Sequence, residues 1–162
     1  MANNNTGKGR KEQVNDSSLF WADQIANEVI EKFSSTLPRN EPFTVKTSAS
    51  LSGVLHIGRL SDTIRSASVH KALLDAGVKS RLIWVSEDMD PLRKVPEGVP
   101  KNYSDYIGMA VTDIPDPDGC HSSYAEHHRE EYLKVIHQFV DTCMDTFSMR
   151  EEYRKGNFRD QI

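Results

Sequence analysis

Apolar side chains recur along this chain with two different periods, and the change from one to the other outlines a series of helices and strands. Leu19, Trp21, Ile25, Val29 and Phe33 fall at helical spacing, with Asp23, Glu28, Glu31 and Lys32 elsewhere around the wheel. The pattern predicts a helix over about 18–34, entered from Ser17 or Ser18 and packed by that apolar stripe. Pro38 and Pro42 break the period. Phe43 to Thr47 then alternates in a β-prone run, which makes it the first strand. The next helix begins close to His56 and runs to about Ala76, where Gly77 supplies the stop. Ile57, Leu60, Ile64, Ala67 and Leu74 share one face of it, as a helix covering a sheet requires. Lys79 to Ser86 is a mostly apolar run of strand length. Strand, helix and strand in this order form a βαβ unit, whose crossover is right-handed in nearly all cases, so the two strands are expected to be parallel neighbours.

From Glu87 to His121 proline and charge exclude a regular element, although Tyr103, Tyr106, Ile107 and Met109 are interspersed. So long a stretch in a compact domain is usually functional. The aromatics favour a packed insert with a short helix near 102–109. Ser122 or Ser123 caps a long helix to about Met144, with Leu133, Ile136, Phe139 or Val140, and Cys143 on its buried side. Thr146 to Met149 is a candidate third strand, and Phe158 to Ile162 looks like the start of another helix. Residues 1–17 hold few apolar positions and cannot repay the entropy of ordering, so they are expected to form a disordered tail ahead of one domain over 18–162.

Composition narrows the class. With 162 residues, 37% hydrophobic and 27% charged, the chain can bury the core of one compact domain. A formal net charge of -4 gives no basic footprint of the kind dedicated nucleic-acid binders carry. Cys120 and Cys143 are too few for a disulfide framework. No leader or apolar run of about 20 residues marks secretion or membrane insertion, so a cytoplasmic protein without membrane contact is expected.

Thr44 to Leu60 carries the candidate chemistry. It reads as a strand, a small-residue turn and the opening of a helix. In doubly wound sheets, ligands bind beyond the carboxyl ends of the strands, and N–H groups at a helix N-terminus attract phosphate. Ser48, Ala49, Ser50, Ser52, Gly53 and Gly58 are small enough to let a polyanion and an adenine ring approach the backbone. His56 at the helix start can donate a hydrogen bond to phosphate oxygens as charge develops in a displacement at phosphorus. Neither the Gly-x-Gly-x-x-Gly fingerprint nor the Walker Gly-Lys-Ser/Thr occurs here, which argues against nicotinamide binding and P-loop hydrolysis.

Four segments then carry a resemblance: Phe20-Trp21-Ala22-Asp23-Gln24-Ile25-Ala26, Ser52-Gly53-Val54-Leu55-His56-Ile57-Gly58, Asp88-Met89-Asp90-Pro91-Leu92-Arg93-Lys94-Val95-Pro96, and Ile114 through Cys120-His121 to His127. Together they resemble the N-terminal part of a class I lysyl-tRNA synthetase, over about 18–162. The resemblance implies an α/β fold with a parallel, Rossmann-like sheet, the first half of the class I catalytic fold, with about three strands and flanking helices. It implies ATP-dependent activation of lysine to lysyl-adenylate, with Mg2+ accompanying ATP, and transfer to tRNA(Lys). By the same resemblance, His56 and Arg59 are the catalytic candidates, Arg59 standing where relatives carry a second histidine or Asn. Ser52, Gly53, His56 and Gly58 would bind ATP. Ser48 and Ser50 would face lysine, joined by Asp88 and Asp90, because an ammonium taken from water needs a paired charge. Arg93 and Lys94 would contact phosphate or the RNA acceptor end. The family usually has Gly-Ile-Thr-Pro-Ser-Gly ahead of the histidine, where this chain reads Ser48-Ala49-Ser50-Leu51-Ser52-Gly53.

Cys120, His121, His127 and His128 invite a metal reading that their spacing does not support. Cys120 and His121 are adjacent, His127 and His128 lie on different helical faces, and structural zinc sites pair ligands two to four residues apart. No protein-bound metal is therefore expected. Trp21, Phe33, Trp84, Tyr132 and Phe139 are read as packing residues, His137 as a helix-face residue and Cys143 as core. No Lys-Met-Ser-Lys-Ser segment follows Gly58, so the chain is expected to carry only the ATP-binding half of a site. The alternative is a non-catalytic nucleotide-binding or interaction module, with an open sheet edge as the association surface. A small nucleotidyltransferase is a third possibility, for which five strands would be required.

Overall fold

The computed structural model describes residues 20–37, 41–140 and 143–157. Three parallel strands, β1 (Phe43–Ser50), β2 (Ser80–Glu87) and β3 (Met144–Ser148), lie in the order β1-β2-β3. They alternate with four helices: α1 (Trp21–Phe33), α2 (Ile57–Asp75), α3 (Tyr124–Phe139) and α4 (Met149–Lys155). The α/β Rossmann-like half-fold is thus present, with three strands among the described residues. The expected tail, its caps Ser17 and Ser18, Leu19 and the helix expected at 158–162 all lie outside the described residues.

Strand alternation sets the core. Leu82, Trp84 and Ser86 of β2 point to one face with Thr47 and Ala49 of β1, and all five are buried. Leu60 of α2 and Tyr124, Ala125, Tyr132 and Ile136 of α3 pack against that face, together with Leu92, Tyr103, Val111 and Ile114 from the insert. Trp84, wholly buried, sits in this cluster as a packing residue.

α1 buries a different face from the one expected, whereas α2 packs its expected Leu60, Ile64 and Ala67 on the core and leaves Ile57 and Leu74 exposed. In α1 the buried positions are Ala22 and Ala26, which pack with Ala72 and Leu73 of α2, while Trp21, Ile25 and Phe33 stay 37–43% exposed. Small residues let the two helices approach closely, and the larger side chains border the contact. In α2, Leu60, Thr63, His70, Ala72 and Leu73 are buried, whereas Ile57 is 79% exposed. α3 starts at the Ser123 cap, whose hydroxyl accepts from the Glu126 amide, and it stops at Phe139 because β3 begins five residues later. Val140 is buried and Phe139 exposed, and Cys143 is exposed rather than core.

The insert is a packed strap. Leu92 and Met109 share a main-chain hydrogen bond, as do Gly108 and Leu92, and Val111 and Asp90, with Pro91 bridged antiparallel to Ala110. Its expected short helix is a 3-10 turn over Lys101–Tyr106.

α4 was not foreseen, although Ser148-Met149-Arg150-Glu151 is the Ser-x-x-Glu pattern of a helix start. The Ser148 hydroxyl accepts from the Glu151 amide and donates to Asp88, and Gly156 ends the helix in the left-handed region at φ 82°. Asp88 is 2% exposed. Its carboxylate takes the Ser148 hydroxyl and the Arg150 amide (3.0 Å), while its carbonyl accepts from Thr112 (3.0 Å). The expected lysine-binding role of Asp88 is therefore corrected: the residue ties the strap to the β3–α4 junction. Replacing a buried carboxylate that holds two donors leaves those donors unpaired, so Asp88→Ala is expected to destabilise the chain by about 2–4 kcal/mol. Urea denaturation checks this, with Glu87→Ala as a comparison expected to stay within about 0.5 kcal/mol.

Candidate active site

The carboxyl ends of β1 and β2 open into a cavity of about 730 Å³, lined by Ser50, Ser52, Gly53, Val54, His56, Arg59, Glu87, Asp90, Arg93, Lys94 and Pro96. That volume lies within the range of small-molecule sites. Ser50 pairs in register with Glu87, so the two side chains that end these strands sit at its floor. Asp90 follows from the start of the strap, and Arg93 and Lys94 are exposed just beyond it. Acidic groups therefore form one wall and basic groups the rim.

His56 is the N-cap of α2, in extended conformation, and its side chain makes no capping hydrogen bond. Gly58 lies directly beneath it: a Cβ there would come within 3.2 Å of the imidazole Cε1 and Nδ1. Glycine at this position lets the ring lie back over the first turn of the helix. The ring makes no hydrogen bond among the described residues and lines the cavity.

Arg59 lines the cavity and also braces the turn beside it. Its Nη1 donates to the Ser50 carbonyl (2.8 Å), the Gly53 carbonyl (3.4 Å) and the Tyr132 hydroxyl (2.6 Å), and its Nη2 donates to Ser52 Oγ (3.3 Å). The guanidinium is spent largely on the turn between β1 and α2.

Ser48 is outside the cavity. Residues 46, 48 and 50 share a strand face, but each pair of residues advances the chain by about 6.6 Å, and only Ser50 reaches the strand end. Ser48 Oγ instead accepts from Lys46 Nζ (3.1 Å) and borders a separate cleft with Trp21, Ile25 and Arg65. Of the expected site residues, the cavity lining thus gathers Ser50, Ser52, Gly53, His56, Arg59, Asp90, Arg93 and Lys94, leaves out Ser48, Gly58 and Asp88, and adds Glu87. The end of β2 held the missed signal, since Glu87 is its last residue and Asp88 lies in the turn that follows it.

The model of the family described as tRNA synthetases class I (K) matches residues 19–162. The chain belongs to that family. It is similar to the lysine–tRNA ligase of Methanocaldococcus jannaschii, 33% identical over 144 residues, which are 89% of this chain and 26% of the relative. It is likewise similar to the lysine–tRNA ligases of Cenarchaeum symbiosum (37% over 142 residues, 88% and 27%) and Archaeoglobus fulgidus (35% over 118 residues, 73% and 22%). The chain spans about a quarter of the length of these class I synthetase relatives.

A second cluster in this synthetase chain lies at the start of α3. One ligand atom each from Asp116, Cys120, His121 and His127 can be chosen so that all four lie within 4.8 Å of one another. Cys120 Sγ is 3.2 Å from Asp116 Oδ2, 3.0 Å from His121 Nδ1 and 3.4 Å from His127 Nδ1. The loop curls around Asp116, which accepts from the amides of Asp118 (3.2 Å), Cys120 (2.9 Å) and His121 (2.7 Å). That curl brings adjacent Cys120 and His121 to one centre, and His127 reaches it from α3. His127 and His128 leave the helix from adjacent positions and yet stay close, their ring centroids 5.2 Å apart, and His128 is buried with its ring 4.5 Å from that of Tyr124.

Burial acts to raise the Asp116 carboxyl, but hydrogen bonds from the Cys120 thiol and the Asp118 and His121 amides, with His127 beside it, hold it well below the usual carboxylate range. His121 Nε2 lies 2.6 Å from Glu130, whose carboxylate raises the imidazole above its ordinary value. A carboxylate behind a ligand imidazole is the usual outer support of a metal centre. A sulfur, two imidazole nitrogens and a carboxylate oxygen suit a four-coordinate divalent cation of the zinc type, and four protein ligands leave no open position for catalysis.

No described helix is long and apolar enough to cross a membrane.

Proposed function

We propose that this chain forms the nucleotide-binding half of a lysine–tRNA ligase active site, which activates L-lysine with ATP and Mg2+ to lysyl-adenylate before transfer to tRNA(Lys). The observation that carries the reading is the two-signed cavity at the end of β1 and β2. A carboxylate wall of Glu87 and Asp90 suits the ammonium of lysine, and a rim of Arg93 and Lys94 suits polyphosphate. His56 at the start of α2 lines the same space, where an unpaired imidazole donor and helix N–H groups favour a phosphate. Names of the relatives and family membership agree with this assignment, and synthetases of this class use ATP.

The role of His56 is to donate to phosphate oxygens as negative charge builds during displacement at the α-phosphate. Ser52 and Gly53 allow the nucleotide to lie close to the backbone. Ser50 and Asp90 stand with Glu87 toward the amino acid, so of the four expected lysine contacts Ser50 and Asp90 are kept and Glu87 takes the place of Ser48 and Asp88. Arg93 and Lys94 are exposed enough to meet phosphate or the acceptor end of the RNA.

The Asp116, Cys120, His121 and His127 centre completes the reading as a structural zinc site that holds the loop before α3. It takes no part in the chemistry, being made from four protein ligands and standing apart from the residues that line the cavity.

Lysine-dependent pyrophosphate exchange by the intact gene product tests the activity. His56→Ala is expected to lower kcat about 100-fold, the cost of removing one donor aimed at developing charge. Glu87→Gln is expected to raise KM for lysine about tenfold or more while leaving KM for ATP unchanged, because a charge-assisted hydrogen bond contributes about 1.5–3 kcal/mol. Absence of exchange in the intact product would overturn the catalytic reading and leave a nucleotide-binding module. For the metal, zinc titrated into the metal-free chain is expected to bind one equivalent and raise the melting temperature. His127→Ala is expected to abolish both effects, and an unchanged melt in the wild type would remove the zinc assignment.

A further inference from the structure

Residues 51–55, between β1 and α2, belong to no helix or strand, so neither the sheet ladder nor helical hydrogen bonds fix their path. Side chains do so instead. The Tyr132 hydroxyl donates to the Gly53 carbonyl at 2.5 Å and accepts from Arg59 Nη1 at 2.6 Å. Arg59 meanwhile reaches the Ser50 carbonyl and Ser52 Oγ, and Ser50 Oγ donates to Ser52 Oγ at 3.1 Å. The result is a closed ring of hydrogen bonds joining the end of β1, the turn, the first turn of α2 and the middle of α3.

Tyr132 is wholly buried and does not line the cavity, so it cannot touch a ligand there. Burial pushes its phenol up, against the pull of the neighbouring guanidinium, so it keeps its proton at neutral pH. Nη1 commits its hydrogens to the two carbonyls and the Tyr132 hydroxyl and Nη2 one hydrogen to Ser52, so most of the five guanidinium donors serve the turn, with Nε and one Nη2 hydrogen left over.

We infer that Arg59 and Tyr132 are a positioning pair, which fixes the Ser50–Gly53 turn, and through it His56, for the nucleotide. The inference rests on the reading of the cavity as an ATP site. It assigns a function to α3 as the outer brace of that site, and it explains how the chain works with arginine at the position following Gly58. The guanidinium fork reaches its four acceptors from two nitrogens, whereas an ammonium has only one.

The test compares the full chain with Tyr132→Phe, Arg59→Lys and the double variant, following ATP affinity by titration and the amide signals of Ser52, Gly53 and Leu55 by 15N NMR. Phe keeps the volume of the buried ring, and a cooperative melt confirms that each variant folds. The expected result is a loss of ATP affinity of about tenfold in each single variant, as for one charge-assisted hydrogen bond. The double variant should lose little more than either single one, and the three amide signals should shift in Tyr132→Phe without ligand. Wild-type affinity in Tyr132→Phe overturns the pair, and wild-type affinity in Arg59→Lys overturns it too, because charge alone would then suffice. If the wild-type chain does not bind ATP, the nucleotide reading fails on its own account. The amide signals still decide the pair in that case: unchanged signals in Tyr132→Phe overturn it.

Discussion

Parallel pairing of β1 with β2 in a single register, Phe43 opposite Ser80 through to Ser50 opposite Glu87, is the constraint on which the site depends. Side chains alternate along a strand, so a slip of one residue would exchange the core and cavity faces. In the observed register Leu82, Trp84 and Ser86 are buried, and burial of Trp84 and Leu82 holds it there. Glu87 is then left at the cavity floor beside Ser50, and Asp88 turns inward to the Ser148 hydroxyl and the Arg150 amide. Two adjacent carboxylates thus come to lie in different surroundings, Glu87 as the last residue of β2 and Asp88 in the turn that follows it.

Helix α3 extends the constraint across the domain. At its N-terminal end His127 meets Asp116 and Cys120, and midway along it Tyr132 meets Gly53 and Arg59. Tyr124, Ala125 and Ile136 bury the side of the helix between and around these points. Packing therefore fixes the distance from the curled loop to the turn, and polar contacts at both places read that distance out. The core reading of Tyr132 is correct for its ring and incomplete for its hydroxyl.

Much of this was legible in the sequence, for reasons that differ by element. The long periods of α2 and α3 and the apolar run of β2 announce their types, because a βαβ crossover must cover a buried parallel sheet. Helix faces were less legible: α1 buries Ala22 and Ala26, and a pattern weighted toward large side chains favours Trp21, Ile25 and Phe33 instead. α4 carried its own start signal at Ser148 and Glu151 but is only seven residues long, too short for a periodic pattern. The cavity was named nearly residue by residue through the family resemblance, whereas the choice of Glu87 over Asp88 needed the strand end to within one position. The Asp116 centre was hidden for another reason. Ligand spacing in sequence reports geometry only for regular elements, and here a loop folded on its own carboxylate brings neighbours in sequence to one point.

The strap resolves a difficulty that the cavity creates. Glu87 and Asp90 stand close in sequence to Arg93 and Lys94, and free chains of that composition would pair their own charges. Among the described residues no ion pair joins them. Pro91 bridges to Ala110, and Leu92 is buried between main-chain bonds to Gly108 and Met109. Leu92 thus separates Asp90, on the cavity wall, from Arg93 and Lys94, on the rim. On the proposed reading, the ammonium of lysine would meet the acidic groups and the phosphates of ATP the basic ones, and opposite partners strengthen each other's charged forms as water leaves. The overall charge of -4 says nothing of this arrangement: a short apolar anchor keeps a small dipole open at the mouth of the sheet, so recognition is local although the chain as a whole is acidic.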